Sequence, residues 1–324
     1  MKKVLVTGGA GYIGSTLVQL LLDKGYFVRV LDNLSFGGEA IVDLFNNPNF
    51  EFIKGDIRDV EIQRRAIQGM DAVAHLAGIV GDPACAIDKD LTNAVNLEAS
   101  YDTYRLSEEM GVKRFVFAST CSTYGKMADP EAFLTETGDL SPVSLYAETK
   151  VQFEQFLVEQ PRTNVCKPVR LRFSTVYGLS RRPRFDLTVN EFTKELALKR
   201  ELVIFGEQFW RPYCHVLDLA RSIVFAIEAE ESKVAWDVFN VGSTNENYTK
   251  QMLVNEIVKV IPDAVIKYVK RDEDPRDYRV NCDKIEKVLG FKIQMTVPDG
   301  IKQIKQSVEE GFFNNPDDSK YKNI

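Results

Sequence analysis

The segment SPVSLYAETKVQFEQFL places Tyr146 and Lys150 four residues apart, on one face of any helix formed there. A phenol with a pKa of about 10 is a poor base at neutral pH, and an ammonium beside it favours the ionised form. A shift of about three units asks for roughly 4 kcal/mol of differential stabilisation, within reach of a partly desolvated site. The spacing alone says little: twelve tyrosines in a chain of 324 residues with 41 Lys and Arg produce about one or two such pairs by chance. Upstream, FASTCSTYG at 117–125 sets four Ser and Thr hydroxyls and a thiol behind an apolar run, without an acid, base or histidine. It reads as a core strand end, a nucleophile's seat or part of a proton path, and its surroundings must choose.

A second group of residues concerns phosphate and ribose. VLVTGGAGYIGS puts Gly9, Gly11 and Gly14 in GxGxxG spacing after an apolar run and before a helical one. Glycines there allow a tight turn and close approach of the backbone to a pyrophosphate, and the helix N-terminus supplies free N–H groups and the positive end of a dipole. Asp32 ends FVRVLD, where a carboxylate accepts bonds from ribose hydroxyls and repels a 2′-phosphate. No Lys or Arg lies between Asp32 and Gly38, so NAD is favoured over NADP. Asp56 and Ile57 follow the next apolar run and are placed to border the adenine, or to form a plain turn.

The elements that must position these residues follow from periodicity. KVLVTG, FVRVLD, FEFIKGD, AVAHLAG, RFVFAST and PVRLRFS read as strands buried on both faces, and the amphipathic stretches between them read as helices, which predicts a doubly wound parallel α/β sheet. Ser141 and Pro142 are start signals for the helix carrying Tyr146. After about residue 176 the rhythm loosens into a smaller α/β part, with helical TVNEFTKELALKR, YTKQMLVNEIVKVI and CDKIEKVLGF. The expected division is a nucleotide-binding domain over 1–175 with a return segment near 212–241, and a mainly substrate-binding domain over 176–324. No Pro/Gly/Ser-rich linker separates them, so tight packing around a cleft is expected, with the tail FFNNPDDSKYKNI frayed.

Bulk properties narrow the classes. The net charge of −6 leaves no basic stripe for nucleic acid. The start MKKVLVTGGAG resembles a first strand more than a signal peptide, and no stretch approaches the roughly 18 apolar residues that span a bilayer, so the expectation is a cytoplasmic protein. Five scattered cysteines without a CxxC pair and only two histidines, His75 and His215, argue against disulfides and a metal site.

The order of these motifs resembles the extended short-chain dehydrogenase/reductase family, in particular its nucleotide-sugar epimerases and dehydratases, over almost the whole chain. Thr7, Gly8, Gly11 and Gly14 match its TGxxGxxG, Tyr146 and Lys150 its YxxxK, and HLAG and Asn96 its middle signatures. The resemblance implies a Rossmann fold and NAD held by Gly8, Gly11, Tyr12, Ile13, Gly14, Asp32, Asn33, Asp56, Ile57, Leu76, Ala77, Gly78, Asn96 and Lys150. It also implies a catalytic set of Thr120, Tyr146 and Lys150. Substrate contacts fall to Ser122, Thr175, Arg211 and Arg276, the two guanidiniums suiting a diphosphate by charge and forked geometry. His215 and Asp218 are read as structural. The family's dehydratases carry a Glu two residues before the Tyr of YG, often preceded by Asp; here Ser122 and Cys121 stand there, which disfavours dehydration and decarboxylation. Cys121 is read as a buried small residue before a nucleophile. Thr175 replaces an Asn common among relatives and leaves the sugar open.

The implied activity is NAD-dependent oxidation and reduction at C4 of a nucleoside-diphosphate sugar, leading to 4-epimerisation. Alternatives are a 4-dehydrogenase or 4-ketoreductase, and, more remotely, a non-catalytic NAD-binding regulator or an enzyme of non-nucleotide substrates. By resemblance the chain pairs as a homodimer through the helix near 96–110 and the one carrying Tyr146.

Overall fold

The computed structural model describes residues 2–127, 129, 132–271, 274 and 276–323. Among the described residues, twelve strands run in chain order: β1 Lys3–Thr7, β2 Phe27–Asp32, β3 Phe50–Lys54, β4 Ala72–His75, β5 Arg114–Thr120, β6 Lys167–Phe173, β7 Thr175–Tyr177, β8 Leu202–Phe205, β9 Trp210–His215, β10 Val238–Val241, β11 Asn247–Thr249 and β12 Ile266–Val269. Seven of them form one sheet in the order β3-β2-β1-β4-β5-β6-β10, with every neighbouring pair parallel. All six apolar runs that read as strands are present. The sheet is doubly wound, and its order reverses between β1 and β4, the place where such sheets open a crevice at their carboxyl ends.

Alternation along the strands explains the two helical layers. In β1, Val4 and Val6 face a core shared with Val28, Val30, Ala72 and Ala74 and roofed by Leu17 and Leu21 of helix Tyr12–Asp23 and by Ile223 and Ile227 of helix Val216–Glu228. Leu5, between them, faces the opposite core with Val73, Phe115 and Phe117, closed by Leu106 of helix Ala99–Glu109 and by Phe153 and Leu157 of helix Leu145–Glu159. A strand whose residues are apolar on both faces has no solvent side, so helices must cover both.

The second part carries two small sheets, β11-β9-β7 and β12-β8, around a separate core. Helices Thr188–Ala197, Lys250–Val258 and Val297–Glu309 supply Val189, Phe192, Leu253, Ile257, Ile301 and Ile304 to it. The expected fraying of the tail is overturned. Phe313 and Tyr321 pack edge-on against Phe185 at 5.0 and 5.7 Å, the Phe185 amide donates to the Tyr321 carbonyl at 2.9 Å, and Arg182 donates to the Lys322 carbonyl at 2.7 Å. Two aromatic side chains in an apolar cradle outweigh the polar composition that suggested fraying.

Candidate active site

The site residues gather at the carboxyl ends of β1, β2, β4 and β5. Directly after β1, Gly8 sits at φ +73, and a Cβ there would lie 2.9 Å from the Ala77 amide nitrogen; at Gly14 a Cβ would meet the Gly8 carbonyl oxygen at 2.1 Å. Only a bare backbone packs this closely. The turn leads through Gly11 into helix Tyr12–Asp23, whose first-turn amides face the crevice mouth as an anion cradle. The Tyr12 side chain turns away from the cradle. Its buried hydroxyl donates to the Gly178 carbonyl and accepts from Asn190 Nδ2 at 3.3 Å, so its side chain ties this helix to the second part, and only its backbone amide faces the cradle. Ile13 packs against the core.

Asp32 accepts from the amides of Ala10 at 2.9 Å and Leu34 at 2.8 Å. Burial raises its carboxyl pKa, and the two amides pull it back. Asn33 folds its Oδ1 onto the amide and hydroxyl of Ser35 at 3.0 and 2.7 Å. Asp56 is clasped by Arg58 at 2.6 Å, whose hydrogen bonds hold its carboxyl below the usual range. Ile57 is buried, with its carbonyl accepting from Gln63.

The loop after β4 is held by a wire of hydroxyls around His75. The Leu76 and Ala77 amides both donate to Thr7 Oγ1 at 3.2 Å, which leaves the Thr7 proton for His75 Nδ1, 3.0 Å away. His75 Nε2 then donates to Ser100 Oγ at 3.0 Å, and Ser100 donates to the Asn96 carbonyl at 2.8 Å. Burial drives the His75 pKa down to about 3, so the ring stays neutral. Asn96 lies in a single π-helical turn, Ala94–Glu98, a bulge that rotates one side chain off the α-helical face. It clamps Ile79 from both sides, accepting from its amide at 2.7 Å and donating to its carbonyl at 2.9 Å, and its Oδ1 would lie 3.1 Å from a Cβ at Gly78. Sequence reasoning named Asn96 but missed the Thr7–His75–Ser100 wire, whose members lie far apart in the chain.

Helix Leu145–Glu159 begins one turn later than Ser141 and Pro142 suggested. Ser144 is its N-cap, taking the Ala147 amide at 3.3 Å, because the Ser141 amide is committed to the Thr123 carbonyl at 3.0 Å. Thr120, at the end of β5, is the hydroxyl neighbour that favours the ionised form of Tyr146. Lys150, buried beneath it, donates to the Ala118 carbonyl at 2.9 Å and lies 4.7 Å from the Phe117 ring centre and 5.9 Å from that of Tyr146. Burial lowers the Lys150 pKa to about 8. The phenol does not shift as the sequence suggested: burial raises its pKa, Cys85 and Asp82 raise it further, and Arg184 and Thr120 only partly oppose this. Without an added positive charge the phenol stays protonated.

On the other side, Arg211 and Arg276 meet across Asp274. Arg211 bonds Asp274 Oδ2 at 3.0 Å, and Arg276 Nε lies 3.7 Å from Oδ1. Arg211 also lies over the Tyr278 ring at 5.3 Å, and the Tyr278 hydroxyl is 3.3 Å from Ser122 Oγ. The hydroxyl cluster thereby reaches the arginines. Thr175 stands on the neighbouring strand, opposite Tyr213. Cys121 is fully buried with its thiol donating to the Arg172 carbonyl at 3.2 Å, and burial pushes its pKa upward, which suits packing and not nucleophilic attack. His215 caps helix Val216–Glu228 and Asp218 takes the amides of Gln294 and Met295, both structural as read. No helix among the described residues is long and apolar enough to cross a membrane.

A glycine cradle, an acid at the end of β2 and a Thr–Tyr–Lys set at the end of β5 occur together here, and residues 4–242 match the NAD dependent epimerase/dehydratase family. The chain belongs to that family. Among its members, the UDP-glucose 4-epimerase of Bacillus subtilis (strain 168) is 31% identical over 282 residues, covering 79% of this chain and 81% of that protein. The UDP-glucose 4-epimerase of Thermotoga maritima, solved with UDP-glucose, superposes with a TM-score of 0.83 at 28% identity, covering 96% of this chain and all of that one. The UDP-glucuronic acid 4-epimerase of Bacillus cereus, solved with UDP-glucuronic acid and NAD, gives 0.84 at 25% identity over 96% of this chain and all of that one. The cradle fits the family's cofactor, since bare backbone at Gly8 and Gly14 lets the turn pack tightly against the loop after β4 and the start of the helix, the close glycine turn that a pyrophosphate-binding helix N-terminus requires.

Proposed function

We propose that this protein is an NAD-dependent nucleotide-sugar 4-epimerase acting on a UDP-hexose. The observation that carries this reading is Tyr146 with Thr120 as its hydroxyl neighbour and a buried Lys150 5.9 Å beneath its ring, set between the glycine cradle and a pair of arginines. Residues 1–175 with the segment 212–241 hold the cofactor, and the remainder of 176–324 holds the sugar nucleotide.

Thr120 and Tyr146 remove the C4 hydroxyl proton, Thr120 bonding the sugar oxygen and passing the proton to the phenolate. Lys150 supplies positive charge beneath the ring. NAD, held by the glycine cradle and Asp32, would supply hydride acceptance and return at C4 and a positive charge that favours the phenolate. Arg211 and Arg276 grip the diphosphate, which leaves the sugar free to turn about its bond to the phosphate and present its other face. Ser122 and Cys121 stand where an acid pair would serve to expel water, which supports epimerisation over dehydration.

Proton NMR of the protein with NAD and a panel of UDP-, GDP-, dTDP- and CDP-sugars tests the reading. An inverted C4 signal without net cofactor reduction is expected for a UDP-hexose. Loss of the C4 proton with accumulating NADH identifies a 4-dehydrogenase instead. A homodimer is part of the same reading, supported by the neighbouring helices Ala99–Glu109 and Leu145–Glu159, where the tilted rings of Tyr101 and Phe156 lie 4.5 Å apart beneath the exposed Arg105. Light scattering checks it.

A further inference from the structure

Asp82 stands where the two sides of the site meet. It opens the short helix Asp82–Ile87, in which Pro83 fixes the first turn. Its two oxygens face opposite ways. Oδ1 accepts from Ser144 Oγ at 2.7 Å, and Ser144 caps the helix that carries Tyr146 and Lys150. Oδ2 accepts from Arg276 NH1 at 2.7 Å. Through Asp274 the chain continues to Arg211. Both guanidiniums that the proposed function gives to the diphosphate are therefore held by carboxylates, which offer a guanidinium the same paired anionic oxygens as a phosphate does.

The two carboxylates differ in how readily they yield. Asp274 is deeply buried, with a side chain 7% exposed, and it also takes the Arg276 amide at 2.9 Å. The Asp82–Arg276 contact lies in the open, with side chains 27% and 41% exposed. An ion pair of that exposure is worth about 0.2–1 kcal/mol, little enough for a diphosphate to displace.

We propose that Asp82 is a positioning residue that occupies the diphosphate's place on Arg276 in the free enzyme and gives the guanidinium up when substrate binds, so that occupation of the diphosphate site is felt at the cap of the Tyr146 helix. This rests on the reading of Arg276 as a diphosphate ligand. When Arg276 leaves, Asp82 keeps Ser144 as its partner. The groups facing the Tyr146 hydroxyl are Asp82 and Cys85 from the short helix, Thr120 from the end of β5, Arg184 from the segment after β7 and Lys150 from its own helix. Asp82 is the carboxylate among them, and its charge adds to the burial that favours the neutral phenol.

The test uses full-length enzyme carrying its cofactor, with UDP as the diphosphate probe. In Asp82→Asn the Arg276 guanidinium loses its competitor, and UDP is expected to bind about two- to fivefold more tightly. The acid limb of the kcat/KM profile moves to lower pH, because a negative charge near the phenol is gone. Asp82→Glu keeps the charge and is expected to leave that limb in place, which separates the effect from damage to the fold. The proposal is overturned if Asp82→Asn changes neither UDP affinity nor the acid limb while Arg276→Ala weakens UDP binding. Unchanged UDP binding in Arg276→Ala overturns the diphosphate reading itself, and the role of Asp82 with it.

Discussion

Tyr146 works against its own burial. Its hydroxyl lies in a desolvated place that favours the neutral phenol, and Asp82 and Cys85 add to that preference. Lys150 is desolvated as well, with a pKa lowered to about 8, so near neutral pH it still carries most of its charge. Under the proposed function, the phenolate forms when the cofactor's positive ring completes the site. Tyr146→Phe removes the proposed proton acceptor and leaves the ring in place. It is expected to lower kcat by about 10²- to 10⁴-fold while the bound NAD per chain, read from absorbance after denaturation, stays unchanged. A variant of parental activity would show that another group takes the C4 proton.

At the scale of elements, helix Leu145–Glu159 presents Tyr146, Lys150 and Glu154 at successive i, i+4 positions, one face aimed at β5 and β6. Glu154 anchors that face. It accepts from Ser119 on β5 and forms a bidentate pair with Arg172 on β6 at 2.7 and 3.1 Å, both side chains almost fully buried. Arg172 also donates to the Tyr124 hydroxyl at 2.9 Å, and Tyr124 donates to Asn240 on β10 at 2.7 Å. The tyrosine of the YG pair is therefore a strut between three strands. Removing one partner of such a pair leaves a buried charge uncompensated, at a cost of about 3–5 kcal/mol. Glu154→Gln keeps the shape and loses the charge, and urea unfolding is expected to report a destabilisation near the lower end of that range. A change below about 0.5 kcal/mol would place Arg172 in contact with another anion or with water.

At the scale of the molecule, the two parts are interleaved and not strung in series. The chain leaves the main sheet after β6, builds β7, β8 and β9 in the second part, and returns through helix Val216–Glu228 to add β10 beside β6. Tyr12 reaches across to Gly178 and Asn190, and Arg181 reaches back to the Ala40 carbonyl at 2.9 Å and Gln19 at 2.8 Å. The core of the main sheet also takes in Cys214 of β9 and, from the C-terminal portion of the chain, Ile285 and Phe291. A single cooperative unfolding transition is the consequence. The two tryptophans sit one in each part, Trp210 opening β9 and Trp236 beside Pro168 of β6, so Trp210→Phe and Trp236→Phe leave one reporter apiece. Their urea midpoints are expected to coincide once corrected for the parent's stability, and separate midpoints would mean that the parts unfold independently.

What the residues determine by themselves is whatever depends on near neighbours. Apolar runs such as KVLVT and RFVFAST are buried on both faces because every second residue points to the opposite side. The sheet, its helical covers and the cradle spacing of Gly8, Gly11 and Gly14 were accordingly legible in the sequence, as was the Tyr146–Lys150 spacing on one helical face. Tertiary structure decided the rest. Asp82 and Arg276 lie 194 positions apart, and no local pattern marks them as partners. Tyr12 and Glu154 look like any aromatic and acid on an amphipathic helix until the second part and β6 arrive beside them. The tail looked polar because composition does not show a cradle for Phe313 and Tyr321. The direction of the Tyr146 shift also belongs here, because desolvation is set by the whole shell of atoms around a group, and that shell exists only once the chain has folded.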